Sequence, residues 1–90
     1  MGTAILKVKL LPESPQTNLE KIKTSVKSIL QQQGGDNFSF EEKPFAFGLK
    51  ALFITFSLPE EKGTDFVEEK LSKIPEVSSI SLEDYRRAFG

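Results

Sequence analysis

The sequence predicts an α+β sandwich, in which two helices cover one face of a four-stranded antiparallel sheet. Apolar residues alternate with other residues in four segments, as in strands whose two faces differ in burial. These segments are 3–10, 38–43, 49–58 and 77–83. Two further segments, 18–32 and 64–74, carry apolar residues at steps of three and four, which indicates amphipathic helices. A chain of 90 residues can bury one thin core, so we expect a single domain over residues 1–90.

The first strand and helix have clear ends. Pro12 and Pro15 follow the strand at 3–10, and prolines do not fit a central ladder. Thr17 or Asn18 is a suitable N-cap for the helix at 18–32. The Gly34-Gly35 pair ends this helix and begins a turn.

After the first helix, the sequence predicts two successive strands, a second helix and a final strand. Pro44 interrupts after the strand at 38–43, and residues 45–48 connect it to the strand at 49–58. That strand is apolar on both sides in its first half, as a central strand would be. Thr64 is the expected N-cap of the second helix, and Pro75 ends it.

The order β-α-β-β-α-β forms two split βαβ units. Right-handed crossovers then give the strand order 4-1-3-2 with both helices on one face, which is the ferredoxin-like sandwich. The final strand is expected to end near residue 83. The tail beyond it is expected to have few ties to the core. Because this fold carries many functions, the function must be inferred from particular residues.

Composition excludes several chemistries. Without cysteine or histidine, the chain has no thiolate or imidazole for a nucleophile, a metal site or acid–base catalysis. The paired acidic residues lack the spacing of a calcium loop, so we expect neither a metal nor a cofactor. A function in binding, rather than enzymatic catalysis, is therefore expected.

The net charge bears on the kind of partner. Twelve basic and thirteen acidic residues give a net charge of −1. A main partner that is nucleic acid usually requires a clear basic excess, so direct nucleic-acid contact is not expected. The chain shows no apolar run long enough to span a membrane and no signal-peptide core at its start. We expect a soluble, cytoplasmic protein.

Phenylalanines mark the first candidate site. Phe38 and Phe40 alternate on a predicted strand, so they are expected in the core. Phe45 and Phe47 lie on a connection between a proline and a glycine, Gly48, where full burial is harder to achieve. Phe47 is either a further core residue or an exposed anchor for a partner.

A second interpretation of this segment is RNA recognition. Residues 43–47 look like an aromatic RNA-binding motif found on the same fold. That motif requires glycine where Pro44 stands, valine where Gly48 stands and an aromatic residue where Lys50 stands. Despite these three mismatches, an RNA-binding module of the same fold is kept as the alternative function. A phosphate-transfer enzyme is less consistent, since the loop at 11–17 has neither arginine nor glycine.

Two arginines near the end form the second candidate site. Arg86 and Arg87 follow Tyr85 in the predicted tail. They belong either to a solvated chain end or to a cationic projection that meets an anionic or metal-binding site on a partner.

Together, these segments resemble a known family. The stretch Ala46-Phe47-Gly48-Leu49-Lys50-Ala51-Leu52, the proline loop at 11–15 and the double arginine resemble the archaeal form of translation elongation factor 1-beta. The resemblance covers essentially all 90 residues. It implies that the chain promotes release of GDP from elongation factor 1-alpha, the GTPase that carries aminoacyl-tRNA to the ribosome.

The resemblance also implies roles for particular residues. Phe47 matches a loop phenylalanine that inserts into the GTPase and disturbs the region holding the phosphates and Mg²⁺, with Phe45 and Gly48 in the same loop. Arg87 matches a near-terminal lysine of the eukaryotic forms that enters the Mg²⁺ site. Arginine there is a departure, because its guanidinium is larger and planar. Arg86 could share the role.

Overall fold

The computed structural model describes residues 2–88 and has the predicted order of elements. The strands are β1 (Thr3–Pro12), β2 (Asp36–Pro44), β3 (Lys50–Pro59) and β4 (Val77–Ala88). The helices are α1 (Leu19–Gln32) and α2 (Asp65–Leu71). No helix within residues 2–88 is both long and apolar enough to cross a membrane.

The sheet is fully antiparallel, with the order β2-β3-β1-β4. This confirms the predicted order 4-1-3-2 and the ferredoxin-like sandwich. Side chains alternate along β1 and β3, so one face of the sheet packs against the helices and the other is open. The buried members of the covered face are Ala4, Leu6, Val8 and Leu10 on β1 and Leu52, Ile54, Phe56 and Leu58 on β3.

Asn18 is the N-cap of helix α1 and is one of the two residues predicted for that position. Its Oδ1 accepts hydrogen bonds from the backbone N–H groups of Glu20, at 3.0 Å, and Lys21, at 3.3 Å. The helix buries Ile22, Val26 and Leu30 against the sheet. Thr64 is the N-cap of α2, as predicted, although its side chain accepts no capping hydrogen bond.

Helix α2 is shorter than the predicted 64–74. It ends at Leu71, and the N–H groups of Lys73 and Ile74 bond to carbonyls three residues back, at 3.3 and 3.2 Å. Pro75 accounts for this tightening, because a residue that precedes proline is disfavoured in the α-helical region. Ile74 lies beyond the end of the helix, but its side chain is still buried, as the apolar periodicity through this residue indicates.

Strand β2 is longer than predicted and includes Pro44, which pairs with Lys50. Proline is tolerated here because β2 is an edge strand, where an N–H on the outer side has no ladder partner. Phe38 and Phe40 are partly buried against the core, as expected, and Phe38 stacks on Phe56 with ring centroids 6.1 Å apart.

Strand β4 differs most from the prediction. It continues to Ala88 and pairs with β1 as far as Thr3, so the prediction of a tail with few ties beyond residue 83 is wrong. A bulge explains the error. Lys7 pairs with Asp84 and Val8 with Leu82, which leaves Glu83 without an opposite residue. The extra residue shifts the alternation of the two faces, and the strand pattern in the sequence is lost there.

Candidate functional site

The connection between β2 and β3 exposes an aromatic ring. Residues Ala46–Gly48 form a short 3₁₀ turn, and Phe47 at its centre is 92% exposed. Of the two alternatives left open for Phe47, a place in the core is excluded by this exposure. Its backbone has φ 62° and ψ 30°, in the left-handed region that bulky residues rarely occupy.

Backbone hydrogen bonds hold this turn closed. The N–H of Phe45 donates to the carbonyl of Leu49 at 2.8 Å, and the N–H of Leu49 donates to the carbonyl of Ala46 at 3.2 Å. Gly48 has φ 75°, a conformation that glycine adopts without strain. The loop therefore has a defined shape with Phe47 at its tip.

The two phenylalanines of the loop differ in their surroundings. The Nζ of Lys9 lies 4.7 Å from the ring centroid of Phe45, whose residue is 42% exposed. Phe47 is far more exposed in a conformation that costs roughly 1–3 kcal/mol. Neither the exposed ring nor the disfavoured backbone conformation stabilises the fold, which is only marginally stable. The loop geometry therefore favours a role in binding.

A polar cleft lies next to the loop. It has a volume of about 290 Å³, and its lining includes Pro15, Gly48, Lys50 and Glu42. The Nζ of Lys23 lies 2.8 Å from both Glu20 and Glu42 carboxylate oxygens. This hydrogen bond from Lys23 lowers the pKa of Glu42, and the bonds to Glu20 and Glu42 raise the pKa of Lys23. The Lys23–Glu42 pair ties α1 to β2 beside this cleft, whereas the Lys23–Glu20 pair lies within α1. The sequence did not reveal the link between the two elements.

Arg86 and Arg87 are separated by the sheet. Arg87 pairs in register with Ala4 on the covered face, whereas Arg86 pairs with Ile5 on the open face. Neighbouring strand residues point to opposite faces, so the two guanidinium groups cannot act at one point. Arg86 forms an ion pair with Asp84, with its Nε 3.0 Å from Oδ2.

Arg87 is held by a carboxylate. Its Nε lies 2.7 Å from Oε1 of Glu60, and its Nη2 lies 3.3 Å from Oε2. The backbone N–H of Glu60 donates to the Gly2 carbonyl at 3.1 Å. The hydrogen bonds from Arg87 lower the pKa of Glu60, and those to Glu60 raise the pKa of Arg87. Both arginines are thus ion-paired within the chain, although their side chains remain 77% (Arg86) and 72% (Arg87) exposed. Nothing in the sequence pairs residues 27 positions apart.

The candidate residues lie at opposite ends of the sheet. The Phe47 loop precedes Lys50, at the start of β3, whereas Arg87 lies beside Ala4, which pairs with Leu58 near the end of β3. Eight residues of antiparallel strand span about 27 Å. Phe47 and Arg87 therefore cannot both enter one metal site on a partner.

Within residues 2–88, no group of three or more acidic side chains is placed to hold a metal ion. The candidate site thus consists of an exposed ring at one end of the sheet and a paired cation at the other, on a small ferredoxin-like scaffold. An exposed ring and a surface cation on a small scaffold are features typical of proteins that act by contact with a macromolecule.

Comparison with known proteins specifies that class. Residues 4–87 match the family model of the EF-1 guanine nucleotide exchange domain. The chain is 35% identical to elongation factor 1-beta of Methanobrevibacter smithii over 88 residues, covering 97% of this chain and 98% of that protein. It is 38% identical to the Methanosarcina acetivorans protein of the same name, covering 96% and 99%. For the Methanosphaera stadtmanae protein the identity is 41%, covering 93% and 92%. The chain belongs to the EF-1 guanine nucleotide exchange domain family.

Proposed function

We propose that this protein promotes exchange of GDP for GTP on elongation factor 1-alpha and so regenerates the form that binds aminoacyl-tRNA. Membership of the guanine nucleotide exchange domain family supports the activity. The single observation that carries the mechanism is the exposure of Phe47 on a loop with a left-handed backbone.

Exchange requires binding and no covalent chemistry. A factor that binds the nucleotide-free GTPase better than the loaded one lowers nucleotide affinity by the same ratio, because the two binding equilibria are linked. The chain has no histidine or cysteine, and exchange needs neither. We infer that it is not an enzyme in the bond-breaking sense.

Because Phe47 and Arg87 lie at opposite ends of the sheet, we assign them separate roles in exchange. A GTPase holds its nucleotide partly through Mg²⁺ bridging the phosphates, so a cation brought near the metal opposes it by like-charge repulsion. Arg87 is the candidate for that role. Since Phe47 lies about 27 Å away along the sheet, we assign it to a second, apolar pocket of the GTPase that anchors the complex.

The RNA-motif interpretation of the same segment has less support. Phe45 and Phe47 lie on the connection before β3 and not within a central strand. That placement agrees with the expectation from Pro44. We also infer that residues 1–90 act as one unit in the cytoplasm, where translation takes place.

The test is release of labelled GDP from elongation factor 1-alpha of the same source, with excess unlabelled nucleotide. Catalytic amounts of the protein are expected to accelerate release. A rate that stays at the intrinsic value with stoichiometric protein would show that the proposed function is wrong. A mock preparation made with the Phe47→Asn variant controls for contaminating exchange activity.

A further inference from the structure

The open face of the sheet carries alternating cations and rings. We call Lys7, Lys9, Lys43, Phe45 and Phe53 the cation–aromatic patch. Lys7 and Lys9 lie on β1, Phe53 on β3, Lys43 on β2 and Phe45 on the connection that follows β2. The register pairs Lys9 with Phe53, which places both on the face away from the helices.

Distances show that the members of the patch touch. The Nζ of Lys7 is 5.2 Å from the ring centroid of Phe53, and the Nζ of Lys43 is 5.0 Å from it. The Nζ of Lys9 is 4.7 Å from the ring of Phe45. Each distance is within the range of a cation–π contact. Three ammonium groups are therefore gathered over two rings.

The patch has no structural task in the core. The buried cluster lies on the other face, between the sheet and the helices. Phe53 keeps part of its surface in solvent, and Lys43 has a side chain that is 50% exposed. Cation–π contacts at exposed sites contribute only modestly to stability, so a ligand can displace them.

We propose that the open face binds single-stranded RNA. The bases of the RNA would stack on Phe53 and Phe45 in place of the lysine ammonium groups. The ammonium groups would then contact the phosphates. Rings that stack bases, combined with cations along the backbone, are how proteins bind single strands without reading sequence. An acidic protein surface would form ion pairs with the three lysines, but its carboxylates would not stack on the flat faces of the two rings.

The overall charge of −1 led us to expect no direct nucleic-acid contact, but the fold concentrates charge locally. Glu41 shares this face and lies 3.7 Å from Lys43, measured from Oε1 to Nζ. Asp84, which pairs with Lys7 in the β1–β4 register, is engaged by Arg86. Together with Arg86, the three lysines outnumber the two acids of this face, Glu41 and Asp84. We therefore expect weak binding that depends strongly on salt.

The experiment measures fluorescence anisotropy of a short labelled oligoadenylate with the full chain over a series of salt concentrations. Three phosphate contacts predict a slope of about −2 for the logarithm of the binding constant against that of salt. The double variant Lys7→Ser/Lys9→Ser is expected to reduce the slope to about −0.7. The matched control Lys21→Ser/Lys27→Ser removes the same charge from exposed positions of α1 and should keep the original slope.

The ring is tested separately. Phe53→Leu keeps an apolar side chain on β3 and is expected to raise Kd about tenfold, because one stacked base is lost. Unlabelled polyphosphate, which has charge and no bases, should compete poorly. Equal slopes for the two double lysine variants, or an unchanged Kd for Phe53→Leu, would overturn the proposal.

The inference is independent of the exchange function. Phe47→Asn should lose exchange and still bind the oligoadenylate. Phe53→Leu, which leaves the contact between Lys9 and Phe45 in place, should weaken RNA binding and keep exchange. If Phe53→Leu instead loses GDP release and retains RNA affinity, the open face is part of the GTPase interface and the RNA proposal is wrong.

Discussion

The two ends of the sheet present their candidate groups in opposite ways. At the loop end, Phe47 is almost fully exposed and its backbone occupies a disfavoured region. At the other end, Arg87 forms two hydrogen bonds with Glu60. The ring is thus presented before any partner arrives, whereas the cation already has an internal partner.

This difference predicts different costs of binding. A preorganised loop loses little conformational freedom when its ring enters a pocket, so most of the burial free energy appears as affinity. Arg87 must exchange Glu60 for the surroundings of a metal site, or carry the carboxylate with it. We expect Phe47 to contribute to affinity and Arg87 to contribute to the effect of Mg²⁺.

The largest expected effect is that of Phe47→Asn. Removal of an exposed aromatic anchor weakens partner binding by about 2–4 kcal/mol. Asparagine tolerates the left-handed conformation better than phenylalanine, so the melting temperature should stay unchanged or rise slightly. GDP release at limiting protein and thermal unfolding are measured on the same preparation.

Phe47→Tyr is the control, because it keeps the ring. It should retain most of the exchange activity. The contrast between the two ends disappears if Phe47→Asn unfolds at a much lower temperature and exchanges normally per folded molecule. Phe47 would then be part of the structural framework despite its exposure.

The second effect is that of Arg87→Ala. If Arg87 opposes Mg²⁺, its removal should slow GDP release about tenfold in millimolar Mg²⁺, which is within the usual range of coupling between two ligands. In excess chelator the metal is absent, so wild type and variant should converge. The measurement is the release rate over a series of Mg²⁺ concentrations.

Arg86→Ala is the matched control for Arg87, since it removes the same group from the opposite face of the sheet. It should leave the Mg²⁺ dependence unchanged. Arg87→Lys restores the residue implied for the eukaryotic relatives. Normal exchange by the Arg86→Ala/Arg87→Ala double variant at millimolar Mg²⁺ would leave the mechanism to the Phe47 loop alone.

The fold could be predicted from the sequence because most elements obey a simple period. Alternation along β1 and β3 and the three-to-four spacing of α1 survive in the structure. The end of β4 could not be predicted, because the bulge at Glu83 breaks the alternation that a period of two requires. The register with β1 is a long-range property, which local patterns do not contain.

The candidate site was predicted in part for a similar reason. Phe47 stood out because its flanking proline and glycine are local signals of a loop. The contact between Arg87 and Glu60 joins residues 27 positions apart, through the return of β4 beside β1. The cation–aromatic patch combines residues of β1, β2, β3 and the loop, and only the register brings them together.

The smallest expected effect concerns the Glu60 carboxylate. Its hydrogen bonds from Arg87 lower its pKa in the folded protein. A lowered folded pKa means that the carboxylate stabilises the fold above the pKa of the unfolded chain, and that this contribution is lost as pH falls through the folded pKa. Because the Arg87 side chain is largely exposed to solvent and that of Glu60 is partly exposed, the effect on stability is small.

Glu60→Gln tests this contact. At neutral pH its melting temperature should be slightly below that of wild type, and the gap should close as pH falls below the folded pKa of Glu60, where wild type is also uncharged. Thermal melts at a series of pH values measure it. The same variant releases Arg87 from its carboxylate, so its GDP release in millimolar Mg²⁺ should be equal to or faster than that of wild type. Slower release would mean that Glu60 positions the cation for the metal site and does not withhold it.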